Sequence, residues 1–191
     1  MTSPAALRPG AYYHIYNRGN NREDLFREER NYSYFLKLYA DHVDPIAETF
    51  AYCLLKNHFH ILVRVREGLP ERAAGQEFAN LFNAYGKAIN KAYGRTGSLF
   101  EHPYGRIEIT DNVYFWRLVT YIHRNPERHG LVDDFRNWPH VSYHTLIANG
   151  PTKLQRQAVI GWFDTRDGFL AAHKVEKPEP ELAKLAPDDA D

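Results

Sequence analysis

The 191-residue sequence has a single cysteine, Cys53, which excludes an intramolecular disulfide. It has no apolar run long enough to cross a bilayer, and its opening MTSPAALRPG lacks the apolar core of a signal peptide. A cytoplasmic protein without a membrane partner is therefore expected. Neither charge is in excess, with 24 basic and 24 acidic residues, and no internal repeat is present. The balance is uneven along the chain, however. Segment 175–191, VEKPEPELAKLAPDDAD, holds two lysines and six acidic residues, leaving 22 basic and 18 acidic groups in the body. A mildly positive body permits a nucleic-acid partner without requiring one. What is abundant is apolar: 43% hydrophobic residues favour neither disorder nor a coiled coil, and the length suits one globular domain with a buried core.

The pattern predicts a strand at AYYHIYN (11–17), where aromatic and β-branched residues concentrate, followed by the polar loop RGNNREDLFREER. Tyr32, Phe35, Leu36, Tyr39 and Val43 then repeat at helical spacing until Asp44-Pro45. ETFAYCLL (48–55) and HFHILVRV (58–65) read as strands joined at Lys56-Asn57. Phe78, Leu81, Phe82, Tyr85, Ile89 and Ala92 form the stripe of a second helix, ended by YGRTGS. YGRIEI (104–109) alternates as a strand. Asp111 then caps a helix expected to run to about Asn125, with Pro126 leaving it. The order β-α-β-β-α-β-α predicts an α+β, ferredoxin-like fold: a split-βαβ antiparallel sheet with helices on one face. Three regions are expected: a main domain over 1–137, a small appendage packed on it over 138–174, and a disordered Pro- and acid-rich tail over 175–191.

Within LLKNHFHILVRV, strand alternation places Phe59, Ile61, Val63 and Val65 on one face and His58 and His60 on the other. Two imidazoles roughly 7 Å apart along a strand, at ~3.3 Å per residue, can converge on one ion. Two half-exposed histidines on a solvated face would look the same. In DNVYFWRLVTYIHRNP, Phe115, Leu118, Val119 and Ile122 form the buried stripe. Tyr114, Tyr121 and Asn125 lie along its flank, the last two one turn apart. Alone, such a tyrosine reads as a packing residue and such an asparagine as a helix-end capper.

Together, YHIYNRGNNRE, FAYCLLKNHFHILV, GSLFEHPYGRIEI, YIHRNPERHGLV and WPHVSYH, in this order and spacing over residues 11–147, resemble the single-tyrosine HUH transposases. Among these they resemble the REP-associated tyrosine transposases. The resemblance implies that His58 and His60 are the HUH metal ligands, that Asn125 is the third ligand, and that Tyr121 is the nucleophile. Tyr114 would be a decoy, and Tyr12, Tyr13 and Tyr16 do not match the nucleophile block. It further implies Mg2+ or Mn2+, a single-stranded REP-like DNA hairpin as substrate, and nicking and strand transfer through a 5′-phosphotyrosine without ATP. Insertion-sequence relatives pair as dimers and REP-associated ones can act as monomers, so monomer and homodimer both stay open.

The chemistry accounts for the residue types. A phenol of ordinary pKa near ~10 is a poor nucleophile at neutral pH. A divalent ion held by two imidazoles and an amide oxygen would polarise the scissile phosphate. Candidate DNA contacts are Arg18, Asn20 and Arg22 in the loop after the first strand, and His102, Tyr104 and Arg106 around the fourth. Arg117 and Arg124 flank the nucleophile. His123, two residues from Tyr121, points elsewhere. Two other readings compete: a domesticated, non-cutting binder of structured single-stranded nucleic acid, and a structural zinc domain on Cys53, His58 and His60.

Overall fold

The computed structural model describes residues 6–70, 72–111 and 113–174; the acidic segment 175–191, expected to be disordered, lies outside the described residues. The elements follow the predicted order. They are β1 (Tyr12–Arg18), α1 (Glu29–His42), β2 (Ala47–Leu54), β3 (His58–Val65), α2 (Ala73–Tyr93), β4 (Gly105–Ile109) and α3 (Val113–Arg128). All strand pairs are antiparallel and the sheet order is β2-β3-β1-β4, so the histidine strand β3 is central. The expected α+β split-βαβ fold is the one observed.

Local sequence explains the boundaries. The Asn31 side chain accepts from the backbone N–H groups of Arg27 and Glu28, starting α1 three residues before Tyr32. Gly94 ends α2 in the left-handed conformation, at φ 62°, where glycine carries no Cβ penalty.

The faces of the sheet are covered differently from expectation. Tyr13 and Ile15 of β1, with Phe59, Ile61, Val63 and Val65 of β3, pack against Tyr32 and Phe35 of α1 and Phe78, Leu81 and Tyr85 of α2. That face matches the prediction. The other face is also apolar over much of its area, through Ala51, Cys53, Leu62 and Ile109, and it cannot be left in water. Phe115, Leu118, Val119 and Ile122 of α3 cover it, so the helices lie on both faces rather than one. Each fully buried Leu, Ile or Phe contributes about 1.5–3 kcal/mol, enough to decide where α3 lies.

The chain beyond α3 completes this second core. Trp138 Nε1 donates to the Leu54 carbonyl at 2.8 Å, and residues 140–142 run along the open edge of β2. Leu54 N donates to His140 O and Ser142 N to Tyr52 O, both at 3.0 Å, which covers an edge that would otherwise invite pairing. Three short helices follow, α4 (Tyr143–Ile147), α5 (Arg156–Gly161) and α6 (Arg166–Ala172), and Tyr143, Val159 and Phe169 bury into the second core.

Helix α3 is longer than predicted. Pro126 does not end it: α3 continues to Arg128 with the proline inside. Bonding continues beyond it through His129 N to Asn125 O at 3.0 Å and Leu131 N to Pro126 O at 2.9 Å. Among the described residues no helix is long and apolar enough to cross a membrane.

Candidate active site

The site forms where the start of β3 meets α3 on the second face. A tight turn at Lys56-Asn57, closed by Leu55 N to His58 O at 2.9 Å, sets the register of β3. Arg18 of β1 lies opposite His58 and Tyr16 opposite His60, while Cys53 of β2 flanks His60 on the other side. His58 and His60 are both buried, and their rings stand nearly perpendicular with centroids 5.2 Å apart. Tyr121, also buried, sets its ring edge-on to His60 at 5.6 Å. The strand thus brings its imidazoles to the proposed nucleophile, across some sixty residues of chain.

Hydrogen bonds fix how the ring nitrogens are used. His58 Nδ1 lies 2.7 Å from Asn57 Oδ1, an acceptor, so Nδ1–H donates to it and Nε2 is the nitrogen turned away from Asn57. His60 Nδ1 lies 3.0 Å from Nε2 of His14, a fully buried residue of β1. His60 Nε2 is buried and has no hydrogen-bond partner. On α3, Asn125 Nδ2 donates to the Tyr121 carbonyl at 3.0 Å, while its Oδ1 is buried with no partner. Burial chiefly, then the neighbouring His14, His58, His129 and Arg18, push the His60 pKa well below its usual value, so His60 is a neutral imidazole.

The surroundings are basic. The Arg128 guanidinium stands 5.0 Å from the Tyr121 ring centroid, and the His129 ring meets His58 edge-on at 4.6 Å. Arg117 lies one turn before Tyr121, its guanidinium 5.3 Å from the Trp116 ring. Asn20 and Arg22 occupy a 3-10 turn (Asn20–Arg22) directly after Arg18 and are exposed.

Other predicted contacts are placed elsewhere. Tyr104 packs on Phe78 and Phe82 of α2, and Arg106 stacks on Tyr104, its guanidinium 4.9 Å from that ring. Arg106 pairs with Ile15, hence on the face opposite Tyr121. His102 is exposed in the loop before β4. Arg124 turns to the C-terminal segment, donating to the His173 carbonyl at 3.1 Å and pairing with Glu127. Of the predicted set, the structure therefore brings together His58, His60 and Tyr121, with Arg18 opposite His58 and Asn125 bonded to the Tyr121 carbonyl one turn along α3. Tyr104, Arg106 and Arg124 are outside that cluster.

Sequence reasoning passed over His14, the residue bonded to His60. Its only signal was a polar side chain inside YYHIYN, in register to face the histidine pair. The zinc reading finds no support: among the described residues no three His, Cys, Asp or Glu side chains group to hold a metal. Cys53 is fully buried in the second core, and burial pushes its thiol pKa well above the usual value.

Comparison with known proteins gives a consistent picture. No family model matches the chain. A putative REP-associated tyrosine transposase of Haemophilus influenzae is 26% identical over 106 residues, covering 51% of this chain and 59% of that protein. The chain thus matches less than two thirds of the length of this curated relative. Among solved structures, a REP-associated tyrosine transposase bound to a REP hairpin superposes with a TM-score of 0.63 at 19% identity. That match covers 78% of this chain and 86% of the other, and shows that the fold is shared. The likeness read from the sequence motifs is thus met again in a curated relative and in a solved fold.

Proposed function

We propose that this chain is a single-stranded DNA nicking and strand-joining enzyme of the REP-associated tyrosine transposase kind, acting on REP-like hairpins. The observation that carries the reading is a pair of buried polar atoms without hydrogen bonds, Asn125 Oδ1 and His60 Nε2, beside a buried tyrosine; His60 Nε2 offers a lone pair when Nδ1–H donates to His14 Nε2. Buried polar atoms are nearly always satisfied, and leaving one unsatisfied costs about 1–3 kcal/mol. An arrangement kept at that cost fits a ligand that is itself an electron-pair acceptor.

The donor set fits a divalent ion held by His58, His60 and Asn125. The amide and phosphate oxygens favour Mg2+ or Mn2+ over zinc. Once bound, the ion would supply a positive centre that polarises the scissile phosphate. The protein's own residues do the rest. Asn57 and His14 hold the two imidazoles in place. Tyr121 Oη forms a bond to phosphorus as the bond to the 3′ oxygen breaks. The phenol proton passes to solvent and the leaving oxygen gains one. The products are a 5′-phosphotyrosine and a free 3′-hydroxyl, and attack by another 3′-hydroxyl reverses the step and joins strands. Arg18, opposite His58, Arg117, one turn before Tyr121, and Arg128, near the Tyr121 ring, would meet phosphate oxygens, and Asn20 and Arg22 would extend that surface.

The test is a covalent protein–DNA band on denaturing gels after incubation with labelled REP-like hairpins and Mn2+. Wild type should form the band and Tyr121→Phe should not. A band from Tyr121→Phe removes the nucleophile assignment. Hairpin binding with no band from wild type would favour the non-cutting binder.

A further inference from the structure

His123, midway between Tyr121 and Asn125 on α3, belongs to a different buried network. Tyr52 N of β2 donates to Ser142 Oγ at 2.9 Å, and Ser142 Oγ lies 2.8 Å from His123 Nε2. His123 Nδ1 lies 2.8 Å from His173 Nε2, and His173 Nδ1 lies 2.7 Å from the Phe169 carbonyl. His123 and Ser142 are fully buried and His173 is 4% exposed. A carbonyl can only accept, which determines every proton in the chain. His173 Nδ1–H donates to Phe169, so its Nε2 accepts from His123 Nδ1–H. His123 Nε2 in turn accepts the Ser142 hydroxyl proton. Arg124 adds a second tie, donating to the His173 carbonyl.

We infer that His173 and Ser142 are positioning residues for the nucleophile, fixing the rotation of α3 through His123. This rests on the reading of Tyr121 and Asn125 given above. His123 is two residues from each of them and so, at ~100° per residue, projects from the other side of the helix. The apolar stripe of α3 holds the helix by contacts less directional than hydrogen bonds, and a small roll costs them less. The hydrogen-bonded chain does not, because a roll would break buried bonds whose groups have no water to turn to. At the ~5–6 Å outer radius of a helix, a roll of about 10° moves a side-chain tip by about 1 Å. Misplacement of that size is enough to cost a reaction about 100-fold. The C-terminal segment thus aims the tyrosine without touching it.

The test compares full-length His173→Phe, which removes both hydrogen bonds, Ser142→Ala, which removes one, and His173→Gln, whose amide still accepts from His123. Single-turnover adduct formation on the hairpin is read per folded molecule, beside the hairpin Kd. Fluorotyrosine-labelled protein adds a 19F line for Tyr121, identified by its loss in Tyr121→Phe. The expected result is an adduct rate at least tenfold lower in His173→Phe and several-fold lower in Ser142→Ala, with Kd within twofold of wild type. The Tyr121 line should shift or split in both, and His173→Gln should restore rate and line. A purely structural role would lower melting temperature and leave rate and line unchanged. If Ser142→Ala, or a folded His173→Phe, keeps the wild-type rate and line, the inference is overturned. If wild type forms no adduct, the proposed function fails, and the 19F line alone still decides whether the network positions Tyr121.

Discussion

At the scale of single residues, the candidate site carries a cost in stability. Asn125 donates an amide N–H to Tyr121 O but leaves Oδ1 buried and unbonded. Asn125→Leu, which has the same branching and heavy-atom count, removes that oxygen at the loss of one hydrogen bond. Metal-free Asn125→Leu should therefore melt no lower than wild type and up to about 2 kcal/mol more stable, while adduct formation falls at least 100-fold. Thermal melts with and without Mn2+ check this: the ion should raise the wild-type melting temperature and leave the variant unmoved. A variant that melts much lower would mean that Asn125 is there for stability. The same scale shows what sequence could not supply. Alternation put His58 and His60 on one face of β3 and helical spacing put Tyr121 on the flank of α3, while their union in one site was implied only by the family resemblance. His14 was not legible, because its role depends on a cross-strand hydrogen bond to His60, and that bond depends on the pairing of β1 with β3.

At the scale of elements, the loop after β1 illustrates how a polar stretch differs from a free one. RGNNR read as a loop able to meet DNA, which says nothing of its rigidity. In the structure it is tightly held: Gly19 N donates to Asn57 O at 2.7 Å and Asn20 N to Leu99 O at 2.8 Å. Asn21 and Arg22 adopt φ of 55° and 59°, a left-handed conformation costly for residues other than glycine. A Cβ at Gly19 would lie 1.9 Å from the Glu23 carbonyl oxygen, and that backbone atom cannot simply swing away. Gly19→Ala should destabilise the protein by about 1–3 kcal/mol and weaken hairpin binding, because Arg18, Asn20 and Arg22 move with the turn. Urea titration and a hairpin binding isotherm check the two effects; an unchanged Kd would detach this loop from the DNA. Pro126 belongs to the same scale. Its fixed φ and missing N–H argued for a helix end, and local rules could not show that tertiary packing carries α3 on to Arg128.

At the scale of the whole molecule, the sequence showed one sheet and one covered face, and missed the cover on the other. The reason is physical: a strand buried on both faces loses the clean alternation that assigns faces, and Cys53, His60 and Leu62 share a face without forming an apolar pattern. What closes that face is non-local, a C-terminal segment ending at His173, which is joined to α3 through His123. Closure of this kind makes the fold sensitive to acid. Burial, with Arg124 nearby, lowers the His173 pKa to about 4, against an ordinary value of 6.5, although its bond to the Phe169 carbonyl works the other way. Above pH 6.5 the ring is neutral in folded and unfolded chains alike. Between pH 6.5 and about 4 the unfolded chain takes up the proton and the folded chain does not. Stability then falls as pH falls, by up to about 1.4 kcal/mol per pH unit, and this loss stops below pH 4. The lowered carboxylates Glu28, Asp41 and Asp134 act in a lower window, as pH drops below about 4.5. Urea midpoints at pH 7, 6 and 5 should therefore decline in wild type and decline less in His173→Gln, which has no ring to protonate. Equal slopes in the two proteins would show that His173 is not the group whose protonation opens the second core.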